Sequence, residues 1–257
     1  MAIKVLNLTH YNTQQEIKQM DFKTATRFVK TNLTIPLHSL RNQLIKLNIK
    51  ETQYTQFHSQ FSEDRYIFHH VNLPKKGVFV DVGAGHPISL SNTYFFERNG
   101  WTGICIDADP AQYELLKKER KTAEWVAISS QEGEIEFSQC QVPELSSTLG
   151  KEQHKGFYKL LFNQPIRVPA FKLETLLEKH HINKIDILSL DVEGTELEVW
   201  KSFNFEKHKP KVVIIEYWAT GLIDNTEQTK EFFSKLPYKL IHTTCANFIY
   251  LLDETIT

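Results

Sequence analysis

The sequence predicts an α/β protein with a doubly wound, mostly parallel sheet and a helical appendage in front of it. Three observations support this prediction. From residue 77 onward, short runs rich in Val and Ile alternate with helix-like segments. Such runs are typical of strands that are buried on both faces of a parallel sheet. The last two runs, PYKLIHTT and ANFIYLLD, are separated by only a short turn. They therefore predict an antiparallel pair after the parallel units.

Length and composition limit the classes of function. The 257 residues suffice for one large domain, and the net charge of −1 argues against nucleic acid as a partner, because nucleic-acid-binding proteins carry a basic surface. No apolar run reaches about 18 residues, and the first residues lack the pattern of a signal peptide. Three widely spaced cysteines fit reduced thiols, so we expect a cytoplasmic protein. The sequence gives no indication of an oligomeric state.

The first element is the appendage, which we place at residues 1–72. This part contains no glycine, and its apolar residues recur at intervals of three and four, as in amphipathic helices. A buttress against the main domain and a lid over a substrate cleft are equally open interpretations. Residues 73–257 then form the main domain, in which residues 139–165 have the mixed, polar pattern of a loop or lid.

The first strand of the main domain ends in the turn DVGAGHP. Gly83 and Gly85 follow the strand closely, as in turns that pass near a nucleotide or nucleoside. A dinucleotide fingerprint has a third glycine where this chain has Ile88, and Pro87 removes a backbone donor that a pyrophosphate needs. S-adenosylmethionine carries no phosphate. The turn therefore favours S-adenosylmethionine over NAD.

An acidic residue follows the second strand. Asp107 comes 26 residues after Asp81 and ends the run GICID. A carboxylate at this position accepts hydrogen bonds from both hydroxyls of a ribose. The alternative is a solvated loop carboxylate. Asp109 precedes Pro110, so we expect it to cap the next helix.

Four segments, in this order and spacing, resemble the FkbM-type family of S-adenosylmethionine-dependent methyltransferases: FVDVGAGHP, LSNTYFFERNGWTGICIDADP, KIDILSLDVEGTELEVW and VVIIEYW. SQFSEDRYIF at residues 59–68 resembles an S-Q-x-x-x-D segment of some branches, and Asn247 matches an Asn in the terminal hairpin. The resemblance covers roughly residues 57–252, and DVEGTE is its most specific piece.

The resemblance implies the class I methyltransferase fold, a Rossmann-like sheet of seven strands with an antiparallel last strand. It also implies an acceptor, namely a sugar hydroxyl in a glycan, glycolipid or glycosylated metabolite. The resemblance places Asp81, Gly83 and Gly85 at the methionine side of the cofactor, and Asp107 and Ala108 at its ribose. It places Ile128 and Ser129 near the adenine, and Asp191 beside the methyl group.

Transfer to a hydroxyl requires a base, and the acids at strand ends are the candidates. Asp191 and Glu193 follow the fourth parallel run, and Glu216 ends the fifth, where a buried carboxylate is costly. His86, in the cofactor turn, is equally open to a catalytic or a structural role. Glu196 has the position of a residue that stabilises a helix dipole. A divalent metal held by the paired acids is a minority interpretation because no third ligand is evident.

Three rival functions remain open at this point. A nucleotide-sugar oxidoreductase with NAD is disfavoured by Pro87 and by the closing hairpin. Methylation of nucleic acid is disfavoured by the charge and by the absence of a motif for base amines, whereas methylation of protein is not separated by the sequence. A cofactor-binding module without catalysis is the third.

Overall fold

The computed structural model describes residues 57–140, 146, 148, 163–219 and 223–255. Most of the predicted appendage, residues 1–56, lies outside the described residues, as does most of the predicted lid. Within residues 57–72 the chain forms one helix, α1 (Glu63–His70).

The remaining helices and strands alternate over residues 78–125 and 173–201, as the sequence predicts, and elsewhere several strands or helices follow one another directly. The helices are α2 (Tyr94–Arg98), α3 (Pro110–Glu119), α4 (Leu173–Lys179), α5 (Glu196–Lys201), α6 (Phe205–His208) and α7 (Thr226–Phe233). The strands are β1 (Val78–Val82), β2 (Thr102–Asp107), β3 (Ala123–Trp125), β4 (Ala127–Ile128), β5 (Gly133–Phe137), β6 (Ile166–Phe171), β7 (Ile187–Leu190), β8 (Val212–Glu216), β9 (Trp218–Ala219), β10 (Ile223–Asp224), β11 (Tyr238–Thr243) and β12 (Asn247–Leu252).

The main sheet confirms the predicted fold class. Its seven strands have the order β11-β12-β8-β7-β1-β2-β3. In this sheet β3, β2, β1, β7 and β8 pair in parallel, and β12 inserts antiparallel between β8 and β11. The strand order reverses between β1 and β7. In a sheet of this kind, ligands bind beyond the carboxyl ends of the strands at that point.

The sheet is buried on both faces. Along β1, Val80 and Val82 enter one hydrophobic cluster, while Phe79 enters the cluster on the opposite face. The same division separates Leu188 from Ile187 on β7. This alternation follows from the two-residue period of a strand. It explains why the sequence shows continuous Val and Ile runs rather than alternating polar residues.

The third predicted strand differs from the structure. We predicted one strand over WVAIS, but the chain leaves the main sheet after Trp125, where Val126 N donates to Asp107 O at 3.1 Å. The next two residues form β4 in a second sheet of order β4-β6-β5. Neither β5 nor β6 was predicted. Most of the side chains on β5 are solvent-exposed, so its sequence lacks the apolar run that identifies a buried strand.

Two further expectations concern the environment of the chain. Among the described residues, no helix has both the length and the apolar character needed to span a bilayer. All three cysteines lie within the described part, and none of them forms a disulfide there. Cys105 and Cys140 are buried, while Cys245 is exposed.

A buried arginine connects the elements beneath the first turn. Arg120, which follows α3, donates through Nε to Glu97 Oε2 at 2.7 Å. Its terminal nitrogens donate to Pro87 O at 3.2 Å, Ser91 Oγ at 3.3 Å and Thr93 Oγ1 at 2.8 Å. The side chain is fully buried, so the guanidinium relies on these partners in place of water.

We expect Arg120→Met to lower the free energy of unfolding by about 3–5 kcal/mol, because the buried Glu97 would lose its only ion-pair partner among the described residues. The double variant Arg120→Met/Glu97→Met should recover part of this loss. Urea unfolding measures both effects. As a control, Lys179→Met removes an exposed ion pair with Glu124 and should cost less than about 1 kcal/mol. A single variant as stable as this control would contradict the role assigned to Arg120.

Candidate active site

Two glycines shape the turn after β1. Gly83 has φ +75° and Gly85 has φ +55°, both in the left-handed region. The backbone nitrogens of Gly83 and Ala84 donate to Ile106 O at 2.9 and 3.1 Å, which fixes the turn against β2. A Cβ on Gly83 would lie 1.7 Å from Asp191 O, whereas a Cβ on Gly85 would meet no atom within 4 Å. The turn is therefore packed tightly on its β7 side and open at Gly85.

Asp107 borders this open space. Its Oδ2 accepts from Gly85 N at 2.7 Å, and its Oδ1 accepts from Asp109 N at 2.8 Å. Burial raises the pKa of Asp107 to about 7, against the opposing effect of these two hydrogen bonds. Each carboxylate oxygen keeps one further acceptor site, so the group can bind a pair of hydroxyls. Asp109 caps α3 as predicted, with Oδ1 accepting from Ala111 N at 2.8 Å.

Asp81 lies beneath the turn and is buried. Its Oδ2 accepts from Thr93 Oγ1 at 2.6 Å, and Thr93 accepts in turn from Arg120. Burial raises the pKa of Asp81, while the nearby Arg120 charge lowers it. These contacts tie Asp81 to the support of the turn. A contact between Asp81 and the methionine side of a cofactor stays a prediction.

The predicted adenine side lies beyond β2 and β3. Ile128 is buried on β4, and Ser129 N donates to Phe171 O at 2.9 Å. Ala108 O accepts from Trp125 Nε1 at 3.0 Å, which fixes a partly exposed indole beside Ala108. We did not identify Trp125 from the sequence as a residue of this side of the site, because an aromatic residue is common in any strand.

Asp191, Glu193 and Glu216 lie close together, and we name them the acidic cluster. One carboxylate oxygen from each lies within 4.8 Å of the other two. Leu190 pairs with Ile215 in the parallel register of β7 and β8, so Asp191 and Glu216 leave the sheet side by side. The tight turn after β7 includes Glu193, which adopts φ +58°.

The cluster cannot be fully ionised at low energetic cost. Burial, followed by the negative charge of Glu196, raises the pKa of Asp191 to about 7. Burial and then the charge of Asp191 raise the pKa of Glu216 well above its usual range. Carboxylates at this distance share a proton or bind a cation, since like charges in a buried site repel each other strongly.

The side chain of Glu196 stabilises the turn in front of α5. It is buried at the start of α5, and its Oε1 accepts from Gly194 N at 2.8 Å and from Val192 N at 3.2 Å. These bonds hold the turn that carries Glu193. Part of the DVEGTE pattern is thus explained by the fold of its own turn.

Two residues far apart in sequence meet beside the cluster. Asn247 lies directly opposite Glu216 in the β12–β8 register, and its Nδ2 donates to Glu63 Oε1 at 2.9 Å. Glu63 belongs to the SQFSED segment, in which the neighbouring Asp64 accepts from Ser59 Oγ at 2.5 Å. We did not identify Glu63 from the sequence, because an acid at a helix start usually serves the helix dipole.

His86 lies in the predicted turn, and its Nδ1 accepts from Ile88 N at 3.2 Å and Ser89 N at 3.0 Å. A neutral imidazole that accepts at Nδ1 carries its proton on Nε2. This geometry provides a donor rather than a base. A catalytic role for His86 stays a prediction.

Comparison with known families gives one match. The model of the methyltransferase FkbM domain matches residues 81–239, which is more than half of the chain. The matched range begins at Asp81 and contains the glycine turn, Asp107 and the whole acidic cluster. Glu63 and Asn247 lie outside it. No curated protein matches the chain.

The two glycines should respond differently to substitution. Gly83→Ala forces a Cβ against Asp191 O, so we expect the free energy of unfolding to fall by at least about 2 kcal/mol. Gly85→Ala meets open space, and its cost should be limited to the left-handed conformation, about 1 kcal/mol. Urea unfolding of both variants measures the difference. Equal losses would show that the turn is not packed against β7 as described.

Proposed function

Because this chain belongs to the FkbM methyltransferase family, we propose that it is an S-adenosylmethionine-dependent O-methyltransferase that acts on a sugar hydroxyl. The acceptor sugar would belong to a glycan, a glycolipid or a glycosylated metabolite. The observation that carries the proposal is the position of Asp107. Its carboxylate is oriented by two backbone N–H groups at the edge of the open space beside Gly85.

The residues present fit this cofactor. Asp107 offers acceptor sites for the two ribose hydroxyls, and Gly85 leaves room where any side chain would project. Ile128 and Ser129 are the proposed adenine contacts, and Ala108 follows Asp107 on the proposed ribose side. Pro87 has no N–H and its carbonyl accepts from Arg120, so this part of the turn faces the protein. Such a turn suits a ligand without phosphate.

When bound, S-adenosylmethionine supplies a methyl group on a positively charged sulfur, and transfer to oxygen leaves a neutral thioether and releases the hydroxyl proton. The chain must position the acceptor oxygen and accept this proton. Asp191 is the proposed proton acceptor, because it lies next to Gly83 in the cofactor turn and its pKa of about 7 suits a base at neutral pH. Glu216 and Glu193 complete the site.

The class of acceptor comes from the family, and one feature of this chain supports it. Trp218, on β9 two residues after Glu216, leaves 47% of its surface exposed. An exposed aromatic face two residues along the chain from the acidic cluster suits the apolar face of a sugar ring. Tyr217, in contrast, stacks on Phe248 and donates to Thr244 O, so it belongs to the support of the hairpin.

Free thiols are the expected state of cysteines in a reducing compartment, which supports a cytoplasmic location as part of the proposal.

We expect S-adenosylhomocysteine, the demethylated product, to bind more tightly at pH 8 than at pH 6, by up to about tenfold. The reason is that the pKa of Asp107 is about 7, so the ionised form that accepts from the ribose is lost as pH falls through 7. Isothermal titration at both pH values measures this change. Asp107→Asn should bind weakly at both and show little pH dependence.

NAD serves as the competitor in the same titration. Tight binding of NAD together with no binding of S-adenosylhomocysteine would refute the proposed cofactor.

The second prediction for this function concerns the acids. Asp191→Asn and Glu216→Gln should each reduce methyl transfer by about 10²- to 10⁴-fold. The first removes the proposed proton acceptor, and the second removes a carboxylate of the same cluster. S-adenosylhomocysteine binding should be retained. Release of this product in the presence of free, nucleotide-linked and polymeric sugars measures the rate and tests the acceptor class.

Glu198→Gln is the matched control, since Glu198 lies on α5 with an exposed side chain that pairs with Lys201. It should remain fully active. If both cluster variants also remain fully active, the assignment of the proton acceptor is wrong.

A further inference from the structure

We propose that the acidic cluster, together with Asn247, is a binding site for one hard divalent cation, namely Mg²⁺, Mn²⁺ or Ca²⁺. This inference rests on the proposed function and specifies how the acceptor hydroxyl would be activated. Its starting point is geometric. Three carboxylate oxygens, one each from Asp191, Glu193 and Glu216, lie within 4.8 Å of one another.

One cation can reach all three oxygens. Two bonds placed end to end span about 4.2 Å for Mg²⁺, whose bonds to oxygen measure about 2.0–2.1 Å, and about 5 Å for Ca²⁺, whose bonds measure about 2.3–2.6 Å. The upper limit of 4.8 Å on the separations within the cluster lies inside the Ca²⁺ span, and small side-chain rotations would bring the oxygens within the Mg²⁺ span. Each residue offers one oxygen in this arrangement, and the second carboxylate oxygen of Asp191 is left for the acceptor proton.

A second and independent observation comes from the neighbouring strand. Asn247 is buried, with 3% of its surface exposed, and its Oδ1 has no hydrogen-bond partner within the described part of the chain. Its Nδ2 donates to Glu63 Oε1, so the oxygen faces away from Glu63. Because Asn247 and Glu216 are directly opposite in an antiparallel pair, their side chains project from the same face of the sheet.

Glu216 has the same property as Asn247. It is 6% exposed, and its Oε2 also lacks a hydrogen-bond partner in the described residues. Buried oxygens of this kind are rare, since each forgoes a bond that water would supply. One of the two oxygens belongs to the acidic cluster itself and the other to Asn247 on the adjacent strand, which indicates a missing ligand with positive charge.

The charges of the surroundings agree with a cation. Within the described chain, no Lys or Arg forms an ion pair with Asp191 or Glu216. The buried Arg120 is committed to Glu97 and to the turn. An all-oxygen ligand set of carboxylates and one amide suits Mg²⁺, Mn²⁺ or Ca²⁺ rather than the softer metals that prefer His and Cys.

The cation would act on the acceptor. Four protein oxygens leave the coordination of an octahedral ion incomplete, and a sugar hydroxyl would fill a remaining position. Coordination makes the hydroxyl more acidic, its proton passes to the second oxygen of Asp191, and its oxygen becomes the nucleophile. The ligands belong to the ends of β7, β8 and β12, so the site requires the inserted antiparallel strand.

Binding of Mn²⁺ to the full, metal-free chain tests the inference. The electron paramagnetic resonance signal of free Mn²⁺ falls as the ion binds, so a titration gives the number of sites and their affinity without an enzymatic assay. We expect one site per chain in the submillimolar range, with competition by Mg²⁺. Glu216→Gln and Asn247→Ala should each weaken binding by about 10- to 100-fold.

Glu198→Gln controls for a general loss of negative charge and should bind Mn²⁺ as the parent chain does. Circular dichroism and thermal unfolding confirm that the variants are folded, and the parent chain alone suffices if they are not. No saturable site at millimolar Mn²⁺, or equal affinity in the cluster variants and the control, would overturn the inference.

The outcome is separable from that of the proposed function. Binding of S-adenosylhomocysteine and methyl transfer that persists in excess chelator would overturn the cation site and leave the methyltransferase proposal intact. Absence of S-adenosylhomocysteine binding would overturn the methyltransferase proposal, and the Mn²⁺ titration would still decide whether the site exists.

Discussion

The buried guanidinium of Arg120 is the constraint on which the candidate site depends. Its N–H groups donate to Glu97 on α2, and to Pro87 and Ser91 in the segment that follows the glycine turn. They also donate to Thr93, which in turn donates to Asp81 on β1. A turn with two left-handed glycines has few side-chain contacts of its own. Its path is therefore fixed from below by Arg120 and from the side by the close approach of Gly83 to β7.

The same edge of the sheet concentrates negative charge, and this combination is unfavourable for stability. Asp81, Asp107, Asp191 and Glu216 all lie at or near the carboxyl ends of parallel strands, and burial raises the pKa of each. A fold selected for stability alone would place apolar or small residues there. The hydrogen bonds donated to Asp107 by backbone N–H groups, and the charge of Arg120 near Asp81, offset part of this cost. The carboxylates of Asp191 and Glu216 gain no such compensation from a Lys or Arg in the described chain.

The sequence was sufficient to predict the main sheet and the acidic residues at the ends of its strands. Buried parallel strands produce continuous Val and Ile runs, so β1, β2, β7 and β8 were located, whereas β3 was expected over WVAIS and lies at Ala123–Trp125. The Asp109 cap followed from its position before Pro110. The adjacency of Asp191 and Glu216 followed from the rule that neighbouring parallel strands end at one edge. The ion pair between Arg120 and Glu97 could not be predicted, because the segment KKERK has the composition of an exposed helix end. The second sheet was missed because β5 is largely exposed and β4 has only two residues.

The contact between Glu63 and Asn247 joins positions 184 residues apart, and it has a consequence for the order of folding. Closing so long a loop is entropically costly, so contacts of this kind form after local helices and neighbouring strands are in place. During synthesis, β12 leaves the ribosome after every other described strand, yet it must insert between β8 and β11. The glycine turn and Asp107 lie on elements that precede β12 in the chain and can assemble before it inserts. The acidic cluster acquires its neighbour Asn247 only when β12 pairs with β8. Under the proposed function, the residues assigned to the cofactor therefore come together before the residues assigned to the acceptor are complete.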